Sequence, residues 1–109
     1  MIIFFVMACG DKGLTQYNST PEISIQSHGN NTQVEPGSIV FRAQASDANH
    51  SAEDLEVRWF VSENEACDWE APESSGESTC TINLSEGTHT IIAEVQDPEQ
   101  AGGRAEVTI

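Results

Sequence analysis

From Pro21 onward the apolar residues of this chain recur at every second position. A period of two puts alternate side chains on opposite faces of a strand and cannot line one face of a helix. Ile23 and Ile25 share a face, as do Ile39, Phe41, Ala43 and Ala45. Leu55, Val57, Trp59 and Val61 alternate with Glu56, Arg58, Phe60 and Ser62. Cys80, Ile82 and Leu84 form another inward set, then His89, Ile91, Ala93 and Val95, and finally Ala105, Val107 and Ile109. Turn residues separate the runs: Glu35-Pro36-Gly37, Ser85-Glu86-Gly87, and Asp97-Pro98 leading to Gly102-Gly103. The stretch from Ala71 to Ser78, rich in Pro, Ser, Gly and Glu, reads as a mobile loop. Six such runs and no helical window predict an all-β chain. The expected fold is an antiparallel two-sheet sandwich of six to seven strands.

The pattern also assigns the core. Trp59 is its largest piece and is expected to pack among Phe41, Ile82, Ile91 and Val95, while Phe60 points to the opposite face.

Charge narrows the partners. Acidic residues outnumber basic ones 18 to 4, for a formal net charge of −14. Nucleic acid requires a basic surface, and an anionic lipid surface would repel this chain. The acid is spread along the sequence, as on a soluble, self-repelling surface. Of the three cysteines, Cys67 and Cys80 read most simply as a disulfide of an exported domain. Zinc would need more ligands at metal spacing, and the spacing is far from a Cys-x-x-Cys redox motif.

The first residues resemble a bacterial lipoprotein signal. An apolar run from Met1 closes in Val6-Met7-Ala8-Cys9, followed by Gly10 and Asp11. The resemblance implies cleavage after residue 8 and a diacylglycerol on Cys9. The protein would then be extracytoplasmic and anchored to a bacterial membrane or cell surface by that lipid. The run lacks the basic residues that begin a secretory signal, so the true start is expected upstream, or the chain is a fragment. It is too short to span a bilayer as a helix. The bland alternative is a buried apolar strand with a core cysteine. Polar residues from Asp11 to Thr20 favour a flexible tether instead. The expected division is a signal remnant over 1–8, a tether over 9–20 and a folded module over 21–109.

A second resemblance covers that module. Leu84-Ser85-Glu86-Gly87-Thr88-His89-Thr90-Ile91, then Val95-Gln96-Asp97 and a Gly-containing turn, is similar to the E-to-F corner and F strand of bacterial Ig-like and PKD-like domains. Pro36-Gly37 with Phe41 to Asp47 resembles their B strand, and Leu55 to Trp59 their C strand. Phe60 to Glu65 lacks the Gly-Asp-Gly turn usual in PKD-like domains, which favours the broader Ig-like group. Antibody-type domains bridge strands B and F. Ala43 and Ile91 hold those places here, so a Cys67–Cys80 bond would pin the segment after strand C to strand E. His89 stands where such folds often carry a corner tyrosine, which implies a partly buried imidazole bonded to nearby backbone.

Catalytic motifs are missing. There is no Gly-x-Ser-x-Gly elbow and no phosphate loop before a helix, and a sandwich this small offers little cleft for a carboxylate pair. His28, His50 and His89 fall in different elements, the first two in predicted loops where they would be solvated. Calcium is the specific ligand worth testing. Asp47 and Asp97 end strands B and F at one pole of an Ig-like sandwich, and Asp54 could approach them. Against that stand the lack of an Asp-x-Asp-x-Asp loop and the habit of aspartates to cap turns. Asn-x-Ser/Thr sequons at Asn18, Asn30, Asn49 and Asn83 read as chance products of composition. Trp69 has no core position, and either covers the disulfide or contacts a sugar or protein at the loops.

These readings predict a non-catalytic module: a surface spacer, adhesion or protein-interaction domain without a cofactor. The rival is an accessory domain, carbohydrate-binding or positioning, of a larger secreted hydrolase.

Overall fold

The computed structural model describes residues 19–109. The expected signal remnant over 1–8, Cys9, Asn18 and nearly all of the expected tether lie outside the described residues. The described residues form seven strands: β1 (Glu22–Ile25), β2 (Gly37–Ser46), β3 (Glu56–Val61), β4 (Asn64–Glu70), β5 (Glu77–Leu84), β6 (Thr90–Gln96) and β7 (Gly102–Thr108). Apart from one 3₁₀ turn at Ala52–Asp54, the described residues hold no helix. All pairings are antiparallel, and the strands make two sheets ordered β1-β2-β5 and β4-β3-β6-β7.

The strands form where alternation predicts them. Along β5 the odd-numbered residues are exposed or half-buried, whereas Ser78, Cys80, Ile82 and Leu84 are buried. Along β6 Ile91, Ala93 and Val95 are buried between half-buried neighbours. The inward faces meet at Trp59, 1 % exposed, which packs against Phe41 with ring centroids 6.4 Å apart. Leu55, Val57, Ile82, Ile91 and Val95 complete this core. Trp59 reaches across it to donate its indole N–H to Ser78 Oγ at 3.0 Å, which satisfies the polar end of the largest buried side chain.

Strand β4 is the one that alternation does not show. A two-residue loop, Ser62-Glu63, returns the chain from Val61 to Asn64. Phe60 then faces Glu65, Trp59 faces Cys67, and Val57 faces Glu70. Each of these two register shifts inserts an extra residue on β4 and resets which side chains face inward. Cys67 therefore points into the sandwich, while Trp69 lies over Arg58 on the outer face.

The Ala71–Ser78 stretch also differs from its reading as a loop. Glu77 and Ser78 already belong to β5. The turn before them is closed by Glu73 N–H to Glu77 O (2.9 Å), Gly76 N–H to Glu73 O (2.7 Å) and Ala45 N–H to Gly76 O (2.9 Å). Gly76 adopts φ +93°, and a Cβ there would collide with the Ala45 carbonyl, so glycine is required on both counts.

The sandwich has two edges and two poles. At one edge the Cys67–Cys80 disulfide (Sγ–Sγ 2.05 Å) joins β4 of one sheet to β5 of the other. At the opposite edge β1 lies close to β7, where a Cβ on Gly103 would come within 2.5 Å of the Pro21 carbonyl oxygen. Ser19 enters at the near pole, beside the β2–β3 connection and the β6–β7 turn. Ile109 leaves at the far pole, paired with His89.

Candidate functional site

The near pole gathers the ionisable groups. Asp47 follows directly on β2 and Asp97 on β6, two strands that end at the same height in opposite sheets. Each carboxylate is fixed by its own loop. Asp47 Oδ1 accepts from Asn49 N–H (3.2 Å) and Ser19 O–H (2.9 Å). Asp97 Oδ1 accepts from the N–H groups of Glu99 and Ala101, both at 2.9 Å. These are the side-chain-to-backbone bonds that aspartate makes in turns. Asp97 is only 2 % exposed.

His50 stands between them. Its Nδ1–H donates to Asp47 Oδ2 at 2.9 Å, and its Nε2 lies 3.6 Å from Glu99 Oε2. Its side chain is 15 % exposed, and that of Asp47 is fully covered. The imidazole is thus a half-buried partner of carboxylates rather than the solvated loop residue expected. The sequence reading brought Asp47 and Asp97 together, and so does the structure. Asp54 is not in this group: it sits in the 3₁₀ turn, where its Oδ2 accepts from Ser51 O–H (3.0 Å). One ligand atom each from Asp47, His50 and Asp97 lie within 4.8 Å of one another.

Protonation follows from this packing. Burial is the largest single influence on Asp47 and pushes its carboxyl up. Hydrogen bonds from His50, Asn49 N–H and Ser19, and then the His50 charge, outweigh it and leave the group below its ordinary value. His50 is raised above the ordinary imidazole value. The hydrogen bond to Asp47 contributes most, burial opposes it, and the charges of Asp47, Asp97 and Glu99 add to the rise.

A serine, a histidine and an aspartate meet here, but not as a nucleophile with its base. Ser19 O–H is directed to Asp47 and to Asn49 Oδ1 (2.6 Å), not to His50. A hydrolytic triad needs the imidazole to take the serine proton.

The far pole is built differently. His89 N–H and C=O exchange two hydrogen bonds with Ile109 (2.8 and 2.9 Å), and His89 Nε2–H donates to Ser85 O at 2.8 Å. Half-exposed at the start of β6, His89 braces the corner through backbone and lies at the margin of the core. Asn31 N–H donates to Thr108 O (2.6 Å), and Thr108 N–H donates to Asn30 Oδ1 (2.9 Å). A shallow cleft bordered by Val34, Pro36, Leu84 and His89 opens beside these bonds. His28, also expected to be solvated, covers Phe41 with ring centroids 4.6 Å apart and hydrogen-bonds Ser27 Oγ.

Trp69 has a structural partner. The Arg58 guanidinium lies 4.4 Å from the Trp69 ring centre and 4.8 Å from that of Phe60. Its Nη2–H donates to Glu94 at 2.8 Å. Stacking of this kind contributes roughly 0.5–1 kcal/mol at an exposed site. Neither the Arg58 stack nor the His50 cluster was legible as a unit in the sequence. The only sign of the latter was a histidine three residues after a strand-ending aspartate.

No family model matches the chain, and no curated protein sequence matches it. A solved structure of the fibronectin(III)-like modules of Clostridium thermocellum CbhA is similar, with a TM-score of 0.62 at 17 % identity. The match covers 83 % of this chain and 46 % of that one, so the chain spans about half the length of the structure it resembles. The likeness establishes a fibronectin III-like sandwich. It agrees with a three-plus-four division in which β4 pairs with β3. In an Ig constant-type domain the fourth strand joins the other sheet.

Proposed function

We propose that this chain is a non-catalytic, extracytoplasmic spacing module, anchored through a lipid on Cys9 and holding what it carries at a fixed distance from a bacterial membrane. The observation that supports this most directly is the placement of the two ends. Ser19 is held at one pole by Asp47 and Asn49, and Ile109 at the other by His89. Strands run the whole way between them, and the ten residues of β2 correspond to about 33 Å at 3.3 Å per residue. A rigid body so connected holds one fixed separation, which a flexible chain cannot. The charge of −14 keeps the module off anionic lipid.

A second reading has support of its own. The CbhA modules resemble this fold, and accessory sandwiches of that kind favour a positioning domain within a larger secreted hydrolase. Both readings make the module a spacer and differ in what it carries.

The test uses the full chain with a complete signal, expressed with a fluorescent reporter after Ile109. Cys9→Ser should release the protein from the membrane, because the lipid is the only anchor in this reading. Replacing residues 21–109 by a Gly/Ser linker of equal length should broaden the membrane-to-reporter distance seen by energy transfer and lengthen its mean, since a flexible chain of that length averages roughly 50 Å between its ends. An unchanged distance distribution would refute the spacer role. Equal membrane retention of the Cys9→Ser protein would refute the anchor.

A further inference from the structure

We propose that the near pole is a binding site for a zinc-class divalent transition metal, ligated by His50, Asp97 and Glu99, with Asp47 as the carboxylate that orients the histidine. The sequence pointed to calcium and to oxygen ligands alone. The geometry puts a nitrogen in the middle of the group, and this changes the chemistry. Calcium takes six to eight oxygens, whereas imidazole with carboxylates suits zinc and its neighbours.

The histidine is what distinguishes this group from a surface cluster of acids. Asp47 Oδ2 accepts the Nδ1 proton at 2.9 Å, so the lone pair of the neutral ring belongs to Nε2. Metal-binding histidines are held in this way, with one nitrogen on a carboxylate and the other on the ion. Nε2 faces Glu99 Oε2 across 3.6 Å, too far for a good hydrogen bond and a gap that an ion can bridge. Asp97 approaches from the same turn as Glu99, with one carboxylate oxygen within 4.8 Å of a ring nitrogen of His50. Ligand atoms about 2.0–2.2 Å from a tetrahedral ion lie roughly 3.3–3.6 Å apart, so the gap between Nε2 and Glu99 already has the right span, and Asp97 has to move closer to complete the set.

The ligands are also prepared and reachable. Two backbone N–H groups aim the Asp97 carboxylate, and Asp47 is aimed by Asn49 N–H and Ser19. Glu99 is 60 % exposed at the rim and offers the ion a way in. A bound ion would tie the β2–β3 connection to the β6–β7 turn beside Ser19, and so stiffen the joint between tether and module. Water would complete the coordination, as in sites with three protein ligands.

The experiment uses the full chain with Cys9 alkylated and the Cys67–Cys80 disulfide intact. Cobalt(II) should give a saturable set of visible bands that zinc abolishes. Calorimetry in two buffers of different ionisation enthalpy should show proton release on zinc binding below neutral pH, since the metal displaces a proton from His50. His50→Gln should abolish both signals. Glu99→Gln, a change at an exposed side chain that leaves folding intact, should weaken binding by more than the roughly 10- to 100-fold that losing a carboxylate partner of a ligating histidine costs. His28→Gln and His89→Gln should bind as the parent does. Absence of saturable binding at micromolar metal would overturn the proposal. So would binding that survives His50→Gln, or calcium binding tighter than zinc.

Discussion

The two poles of this sandwich close the same kind of gap by different chemistry. The far pole is joined by backbone: His89 and Ile109 exchange N–H and C=O groups, and the Asn30–Asn31 turn exchanges with Thr108. The near pole is joined by ionisable side chains, with Asp47, His50, Asp97 and Glu99 bridging the two loops that flank Ser19. Amide groups do not titrate, so the backbone bonds of the far pole should be indifferent to pH and to metal ions. The near pole should respond to both. One module therefore carries an end closed by backbone and an end closed by ionisable groups, and the latter is the end at which Ser19 lies.

Both poles rest on one shared middle. Trp59 lies there, buried among residues of both sheets and bonded to Ser78. Trp59→Ala should cost roughly 3–5 kcal/mol, a large part of the 5–15 kcal/mol typical of a domain. Amide exchange should then accelerate at both poles together; faster exchange at one pole alone would show that they fold as separate units. Phe60→Ala, which removes a ring from the outer stack on Arg58, should cost much less. Next in size is the disulfide. Cys67 lies opposite Trp59 on one sheet and Cys80 opposite Phe41 on the other, so the bond sits beside the core. Its sequence separation of 13 limits the entropic contribution to about 3 kcal/mol. The Cys67→Ala/Cys80→Ala protein should keep its fold and show a lower urea midpoint at both poles.

The core was legible because burial and alternation agree residue by residue. Phe41, Trp59 and Ile91 each fall on the inward parity of a regular strand, and each is buried. Strand β4 was hidden because its two register shifts break that parity within seven residues. A polar, acidic edge strand has no apolar stripe to betray it. His50 was hidden for another reason. A loop histidine looks solvated until the loop's path is known, and the sequence cannot show that a turn from the other sheet brings Asp97 and Glu99 to it. Asp47 and Asp97 could be paired because both end strands, whose ends stack. Asp54 is displaced because Ala52–Asp54 winds into a 3₁₀ turn and directs its carboxylate to Ser51.

Substitutions within the poles should separate them. Asp97→Ala strips two backbone N–H groups of their buried acceptor. It should cost about 1–3 kcal/mol, with faster amide exchange confined to the near pole and the β6–β7 turn. At the far pole, His89→Ala loses only the ring bond to Ser85 and keeps both backbone bonds to Ile109. About 0.5–1.5 kcal/mol is expected, measured by urea unfolding. A larger loss at His89 than at Asp97 would reverse the assignment of side-chain and backbone closure.

The smallest effect is the most selective. His50 is raised in the folded protein, chiefly by its bond to Asp47. Its contribution is fully present below the unfolded value of about 6.5 and fades as pH climbs through the higher folded value. Asp47 is lowered in the folded protein, where bonds from His50, Asn49 and Ser19 outweigh burial. Its contribution is present above the unfolded value of about 3.9 and fades as pH falls through the lower folded value. The pair therefore supports the fold most fully between about pH 4 and 6.5, and weakens first on the alkaline side. Urea midpoints measured from pH 5 to 9 should fall with rising pH in the parent. In His50→Gln that slope should flatten, since glutamine does not titrate. If the parental slope survived in His50→Gln, the Asp47–His50 pair would not be its source, and the near pole would lose its claim to be the responsive end.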